Sequence, residues 1–195
     1  MMKWLLGSIG FVLFIFSDYN TVKWNKKSLN ALFWIGSFCV LAGTVMAAWE
    51  EIEQGILVDG ESMLAVAFAC VCGAMLIYTL FFAIPFSESY IEGTDHRKVC
   101  KSGMYAFCRH PGVVWFFFFY LTLGRAFQGR IFLWYGVFLS LLNLGYVVFQ
   151  DYYSFPIIFN DYVAYRKEVP FIIPTKRSMA QGVRTWRKKG EKDAI

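Results

Sequence analysis

Two uncharged apolar stretches, 29–49 and 63–86, constrain this chain more than anything else in it. Each reaches the roughly 20 residues that a helix needs to cross about 30 Å of hydrocarbon. A third, 131–149, nearly does, while 4–16 is short for a span and 112–123 is too short to cross without its flanks. Between 112–123 and 131–149 lies a small turn, 124–129, so 112–149 reads as a tight helical hairpin. The expected fold is an all-α integral membrane protein of about five transmembrane helices. Hydrophobic residues make up 57% and aromatic residues 20% of the 195 residues, well beyond a soluble domain of this size. One membrane domain, 1–174, followed by a basic tail, 175–195, is the expected organisation. Lys3 ahead of 4–16 resembles the start of a signal peptide, but Ser17, Asp18, Tyr19 and Asn20 follow with no small-residue cleavage site. The stretch is therefore expected to stay as the first helix.

Charge sets the orientation. Of the 19 Lys and Arg, 16 fall in three segments: 23–27, 97–109 and 166–192. The loop after the second run has none, and carries Glu50, Glu51, Glu53, Asp59 and Glu61. With five spans the basic segments share one side, the cytoplasmic one, and the N-terminus lies outside. The formal net charge of +5 then points to anionic lipid headgroups and not to nucleic acid. The five cysteines, Cys39, Cys70, Cys72, Cys100 and Cys108, are odd in number and lie in apolar runs or on the reducing side, which argues against a disulfide framework. The outer glutamates read as a solvated topology signal.

The chemistry concentrates in a polar knot between apolar runs: Gly103, Tyr105, Arg109, His110 and Pro111. Ionisable residues at membrane depth are rare and usually functional. His110 precedes proline, so its backbone is pushed out of the helical region. Pro111 suits the first position of a helix, where its missing N–H costs nothing. Arg109 and His110 thus stand at a helix start, whose free N–H groups and partial positive charge attract anions. Gly103 permits close backbone approach to a ligand. The same residues also suit a plainer role, with Arg109 a topology marker and His110 a helix cap.

Beyond the last run the chain becomes polar and aromatic. Pro156 is expected to break or kink any continuing helix. Residues 160–167 read as a short amphipathic helix with Tyr162, Tyr165 and Arg166 on one face. Val169, Pro170 and Pro174 keep 169–174 extended, lying on the membrane surface. From Thr175 on, the chain reads as a loose cytoplasmic tail with Trp186 as an interfacial anchor.

Gly-x-Tyr-x3-Arg-His-Pro at the start of a short apolar helix resembles the isoprenylcysteine carboxyl methyltransferase and phospholipid methyltransferase superfamily of membrane enzymes. The second half resembles it too, with Gln150-Asp151, Phe159-Asn160, Tyr162-x2-Tyr165 and Val169-Pro170-Phe171-Ile172-Ile173-Pro174 in the family's order. The resemblance covers about 98–174. It implies a cytoplasmic S-adenosylmethionine pocket built from these two segments, and a lipophilic acceptor entering from the bilayer. Carried over, Gly103, Tyr105, Arg109, His110, Pro111, Asp151, Tyr162 and Tyr165 would bind the cofactor, and Arg109, Asp151 and Arg166 would serve catalysis. The chain departs from the family at Gln150-Asp151, where two glutamates are usual, at Val113, where an aromatic or similar residue is usual, and at Asn160, where glycine is usual. The acceptor stays open among prenylated thiols, phospholipid amines, isoprenoids and small hydrophobic thiols.

Other constellations point elsewhere. His96, Cys100, Cys108 and His110 share a loop, but their spacing matches no usual zinc pattern, and no metal is expected. A sterol or steroid reductase type of membrane enzyme, binding NADPH, shares an Arg-His-Pro segment and a Tyr-rich, Pro-terminated tail. A transporter or interaction module without catalysis should place polar residues near mid-membrane. The second and third runs offer only Ser37, Thr44 and Thr79 for that.

Overall fold

A computed structural model describes residues 1–55, 59–82 and 98–193, with the side chains of the last helix described as far as Thr185. Among the described residues every regular element is helical. They are α1 (Met2–Tyr19), α2 (Ala31–Glu53), α3 (Gly60–Ile77), α4 (Met104–Phe107), α5 (Pro111–Ala126), α6 (Arg130–Phe149), α7 (Phe155–Ile158), α8 (Tyr162–Glu168) and α9 (Lys176–Asp193). Turns of π-helix follow α1, α3 and α6, at Asn20–Trp24, Tyr78–Phe82 and Gln150–Ser154. Among the described residues, four helical stretches are long and apolar enough to cross a membrane: Met2–Trp24, Lys27–Glu53, Gly60–Phe82 and Arg130–Ile158. Their surfaces carry Phe38, Leu41, Leu64, Trp134 and Leu141 in the open, with Leu64 74% exposed. Large apolar faces of this kind need a covering, and a bilayer supplies it. Residues 83–86 of the expected third span, with Asp95, His96 and Arg97, lie outside the described residues.

The described chain divides into two compact units, one of 1–73 and 116–154, the other of 74–115 and 155–195. The first unit is built on aromatic packing. Phe11, Tyr120, Phe132, Tyr135 and Leu139 form its buried centre, with Val40 and Ala47. Trp4 meets Tyr135 edge-on, with ring centroids 5.5 Å apart at 81°. Such pairs contribute beyond their area alone. Thr44 and Tyr120 share a hydrogen bond of 2.7 Å across the interface of α2 and α5. α1 and α2 approach closely at Gly10 and Gly36. A Cβ on either would stand 2.8 Å from the other's carbonyl oxygen. Small residues at a helix contact let backbones meet in a membrane, where apolar area alone gives no drive to associate.

Three expectations change along these helices. The first helix does not stop near residue 16. It runs on through its π turn because the polar residues there find partners. Asn20, fully buried, donates to the Lys26 carbonyl at 3.0 Å and accepts from the Lys26 N–H at 3.0 Å. Asp18 accepts from the Gln150 amide at 2.9 Å. The last long helix continues past Pro156 to Ile158. A π turn at 150–154 widens the helix just where the proline lacks an N–H and crowds the preceding turn. The carboxylates at 50–61, finally, are not merely solvated. Glu51 is 4% exposed and accepts from the Phe132 N–H at 2.7 Å, capping the first turn of α6, whose N–H groups have no partner within the helix. Glu50 pairs with the buried Lys3, and Glu61 with Arg125. Asp59 caps α3 through the Ser62 N–H at 2.7 Å.

In the second unit Tyr162, Tyr165 and Val169 form a small buried cluster, ringed by Val99, Phe155 and Phe159. The expected loose tail is instead a helix, α9, with its own start signal. The Thr175 hydroxyl accepts from the Ser178 N–H at 3.2 Å, and the Ser178 hydroxyl from the Thr175 N–H at 3.0 Å. This is a reciprocal capping pair with serine in the place glutamate usually takes.

Candidate functional site

The site lies in the second unit, where two segments about 60 residues apart in sequence are fastened together. Gly103 opens the first segment with φ +60°, a conformation that side chains rarely adopt, and sets the start of α4. Its neighbourhood is open: a Cβ there would meet nothing within 4 Å. Backbone conformation, not crowding, therefore calls for glycine. Tyr105 donates its hydroxyl to the Thr79 carbonyl at 3.0 Å, in the π turn after α3. Cys108 leaves α4 in extended conformation, and α5 begins at Pro111, as the His-Pro step predicts. The His110 carbonyl accepts from the Val113 N–H at 3.2 Å and closes the first turn.

The second segment is α8 and the extended run after it. Asp161 precedes α8 and accepts from the Val99 N–H at 2.9 Å, with Lys101 3.5 Å from its other oxygen. Tyr165 donates to the Tyr105 carbonyl at 2.6 Å. Burial, then the neighbouring Tyr162, raises the Tyr165 hydroxyl well above the ordinary tyrosine range, so it stays a donor. The strongest fastening is Arg109. One terminal nitrogen of its guanidinium donates to the Arg166 carbonyl at 2.8 Å and the Val169 carbonyl at 2.7 Å. Those carbonyls lie at the end of α8, where a helix leaves acceptors without partners and carries partial negative charge. The main chain adds two bonds: Arg109 N–H to the Pro170 carbonyl at 2.9 Å and His110 N–H to the Phe171 carbonyl at 3.2 Å. The proline-bounded run 169–174 is extended, as expected, and it lies against the backbone of 109–110.

His110, 6% exposed, sits between rings. Phe155 stacks on it at 5.8 Å and 10°, and Phe171 meets it edge-on at 5.0 Å. The Phe171 ring also faces the Arg109 guanidinium at 5.5 Å. Phe159 and Tyr162 extend this aromatic group from Phe155. Beside it is a cavity of about 360 Å³, lined by Met75, Met104, Phe107, Cys108, Pro111, Val114, Trp115, Ile172 and Pro174. Its walls are almost entirely apolar. Burial pushes the Cys108 thiol up from 9.0 to about 11, which makes it an inert wall and not a nucleophile.

Of the residues read from sequence, the structure brings Gly103, Tyr105, Arg109, His110, Pro111, Tyr162, Tyr165 and Arg166 into the second unit. Asp151 belongs to the first unit, fully buried in the π turn after α6. Arg166 contributes its carbonyl to Arg109, and its side chain is half-buried. Sequence reasoning missed Thr79, Asp161, Phe155 and Phe171. Asp161 fell inside the helix expected over 160–167, whereas the structure starts that helix at Tyr162 and leaves Asp161 in the cap position just ahead of it. Phe155, next to a proline read as a breaker, had none. Comparison with known proteins finds no matching family model, no matching curated sequence and no matching solved structure.

Proposed function

We propose that this protein is an S-adenosylmethionine-dependent methyltransferase acting on a lipophilic acceptor at the cytoplasmic face of a membrane. The observation that supports it best is the fastening of the 103–111 and 159–174 segments beside an apolar cavity. The resemblance implies a pocket from those same two segments. The donor set suits such a cofactor: a helix start for a carboxylate, and a group of aromatic faces for a sulfonium cation. When bound, the cofactor would supply a methyl group carried on that sulfonium. His110, Pro111 and the first turn of α5 would hold its methionyl end, while Tyr105, Tyr162 and Tyr165 would line the nucleoside. Arg109 would act first as a positioning residue, since it holds the second segment on the first. The cavity beside Pro111 and Trp115 would take the hydrocarbon part of the acceptor and exclude water. With no acid or base of shifted strength required, placing the acceptor in line with the methyl group can contribute most of the rate.

Topology belongs to the same reading. With α5 and α6 as a hairpin completing five passages, the basic segments fall together on the cytoplasmic side and the N-terminus outside. The test is calorimetric titration of the purified protein in detergent with S-adenosylhomocysteine, against His110→Ala. Binding by the wild type, weakened about tenfold or more in a folded His110→Ala, is expected, because about 1.4 kcal/mol is one lost contact of ordinary strength. A wild type that does not bind overturns the reading.

A further inference from the structure

α9 divides its surface into three strips. Ser178 and Gly182 are buried on the side toward α4, where a Cβ on Gly182 would stand 2.7 Å from the Phe107 ring. Thr185 on that side accepts from the Gly103 N–H at 3.3 Å. Next to this packed strip run Met179 and Val183, one turn apart, 51% and 47% exposed. On the remaining side Lys176, Arg177 and Arg184 are exposed, and none of the three has an acidic partner among the described residues. The sequence beyond Thr185 carries the same residue types, Trp186 and then Arg187 and Lys188. From 176 to 190 the chain holds six Lys and Arg and no Asp or Glu.

We propose that α9 docks on a surface of anionic phospholipid headgroups, its Met179–Val183 edge seated in the headgroup boundary and its basic strip on the phosphates. A strongly two-sided helix with a basic polar face and low overall hydrophobicity lies in the membrane interface instead of crossing it. A solvated protein surface would leave the apolar edge uncovered. An acidic protein partner would neutralise the basic strip, but offers nothing specific to the apolar edge beside it. The proposal does not depend on methyl transfer. It also gives the α9 contact with Phe107 a consequence, since Phe107 lines the cavity and the lipid surface would hold that wall in place.

The experiment is hydrogen exchange of the full-length protein in nanodiscs of phosphatidylcholine alone, or mixed with phosphatidylglycerol. Peptides covering α9 should exchange at least about fivefold more slowly in the anionic discs, the effect of a single basic residue near a charged surface, and high salt should reverse it. Met179→Glu/Val183→Glu and Arg177→Gln/Arg184→Gln should each abolish the difference, while α4 keeps its exchange rates because neither pair touches the packed strip. Equal exchange in the two lipids overturns the proposal. So does a lipid effect that survives Met179→Glu/Val183→Glu, which would mean attraction without seating.

Discussion

The two units are held together by different physics. In the first, helices meet through aromatic rings and through glycines that let backbones touch, and its polar groups act mostly as caps at the helix ends. In the second, short pieces of helix and an extended run are held by hydrogen bonds to main-chain carbonyls, centred on Arg109. The first arrangement spreads stability over many small contacts. The second concentrates it in one side chain. A ligand site profits from the second kind, because a few directional bonds fix loop geometry that packing of large helices cannot specify.

The contrast breaks most sharply at Arg109. Arg109→Ala leaves one buried and one partly buried carbonyl without their donor and should destabilise the second unit by roughly 3 kcal/mol. Hydrogen exchange should rise across 159–174 while α1 and α2 keep theirs, as expected of units that open separately. Arg109→Lys should rescue only part, because the lysine ammonium sits one bond nearer the backbone than the terminal guanidinium nitrogen that reaches both carbonyls. A uniform loss of protection in both units would mean that they open together and that Arg109 holds no separate unit.

The converse change is Gly36→Leu, which drives a side chain into the Gly10 carbonyl and should cost about 2 kcal/mol by overpacking. Its effect should fall on α1 and α2 and spare 98–111, read by the same exchange experiment. Glu51→Ala comes next. It removes the cap on α6 and should cost about 1–2 kcal/mol, seen as a lower thermal midpoint in detergent with hydrogen exchange across 159–174 unchanged. Tyr165→Phe loses one bond, about 1 kcal/mol, and should loosen only the second unit.

The smallest effect is the pH response of Cys108. Its folded-state value, about 11, lies above the unfolded 9.0, so the folded protein keeps the thiol neutral where the unfolded chain ionises. Its contribution is full below about pH 9 and is lost as pH rises through about 11. Alkylation followed by mass spectrometry should therefore label the partly buried Cys100 first near neutral pH. Equal rates at the two sites would show that the cavity wall opens readily.

Much of this was legible in the chain. Apolar runs of spanning length appear as helices because length and composition alone decide that in hydrocarbon. The helix start at Pro111 and the extended run between Pro170 and Pro174 follow from local backbone rules that need no partner. What sequence periodicity could not reach were the places where a distant group satisfies a polar one. Gln150 meets Asp18 from α1, so the first helix could carry a carboxylate past the point where hydropathy alone would end it. Pro156 did not break its helix, since the π turn ahead of it absorbs the missing bond.

The sequence by itself determined that this protein is helical and made for a membrane, and where its polar motif begins a helix. Both depend on properties each residue brings with it. Only the tertiary structure decided that Arg109 is a clasp on the end of α8, that Glu51 caps α6, and that the basic tail is a helix resting on α4. Those roles are hydrogen bonds and contacts between residues tens of positions apart. Their partners are carbonyls, N–H groups and ring faces that every residue, or many, could offer, so only the folded chain says which ones are used.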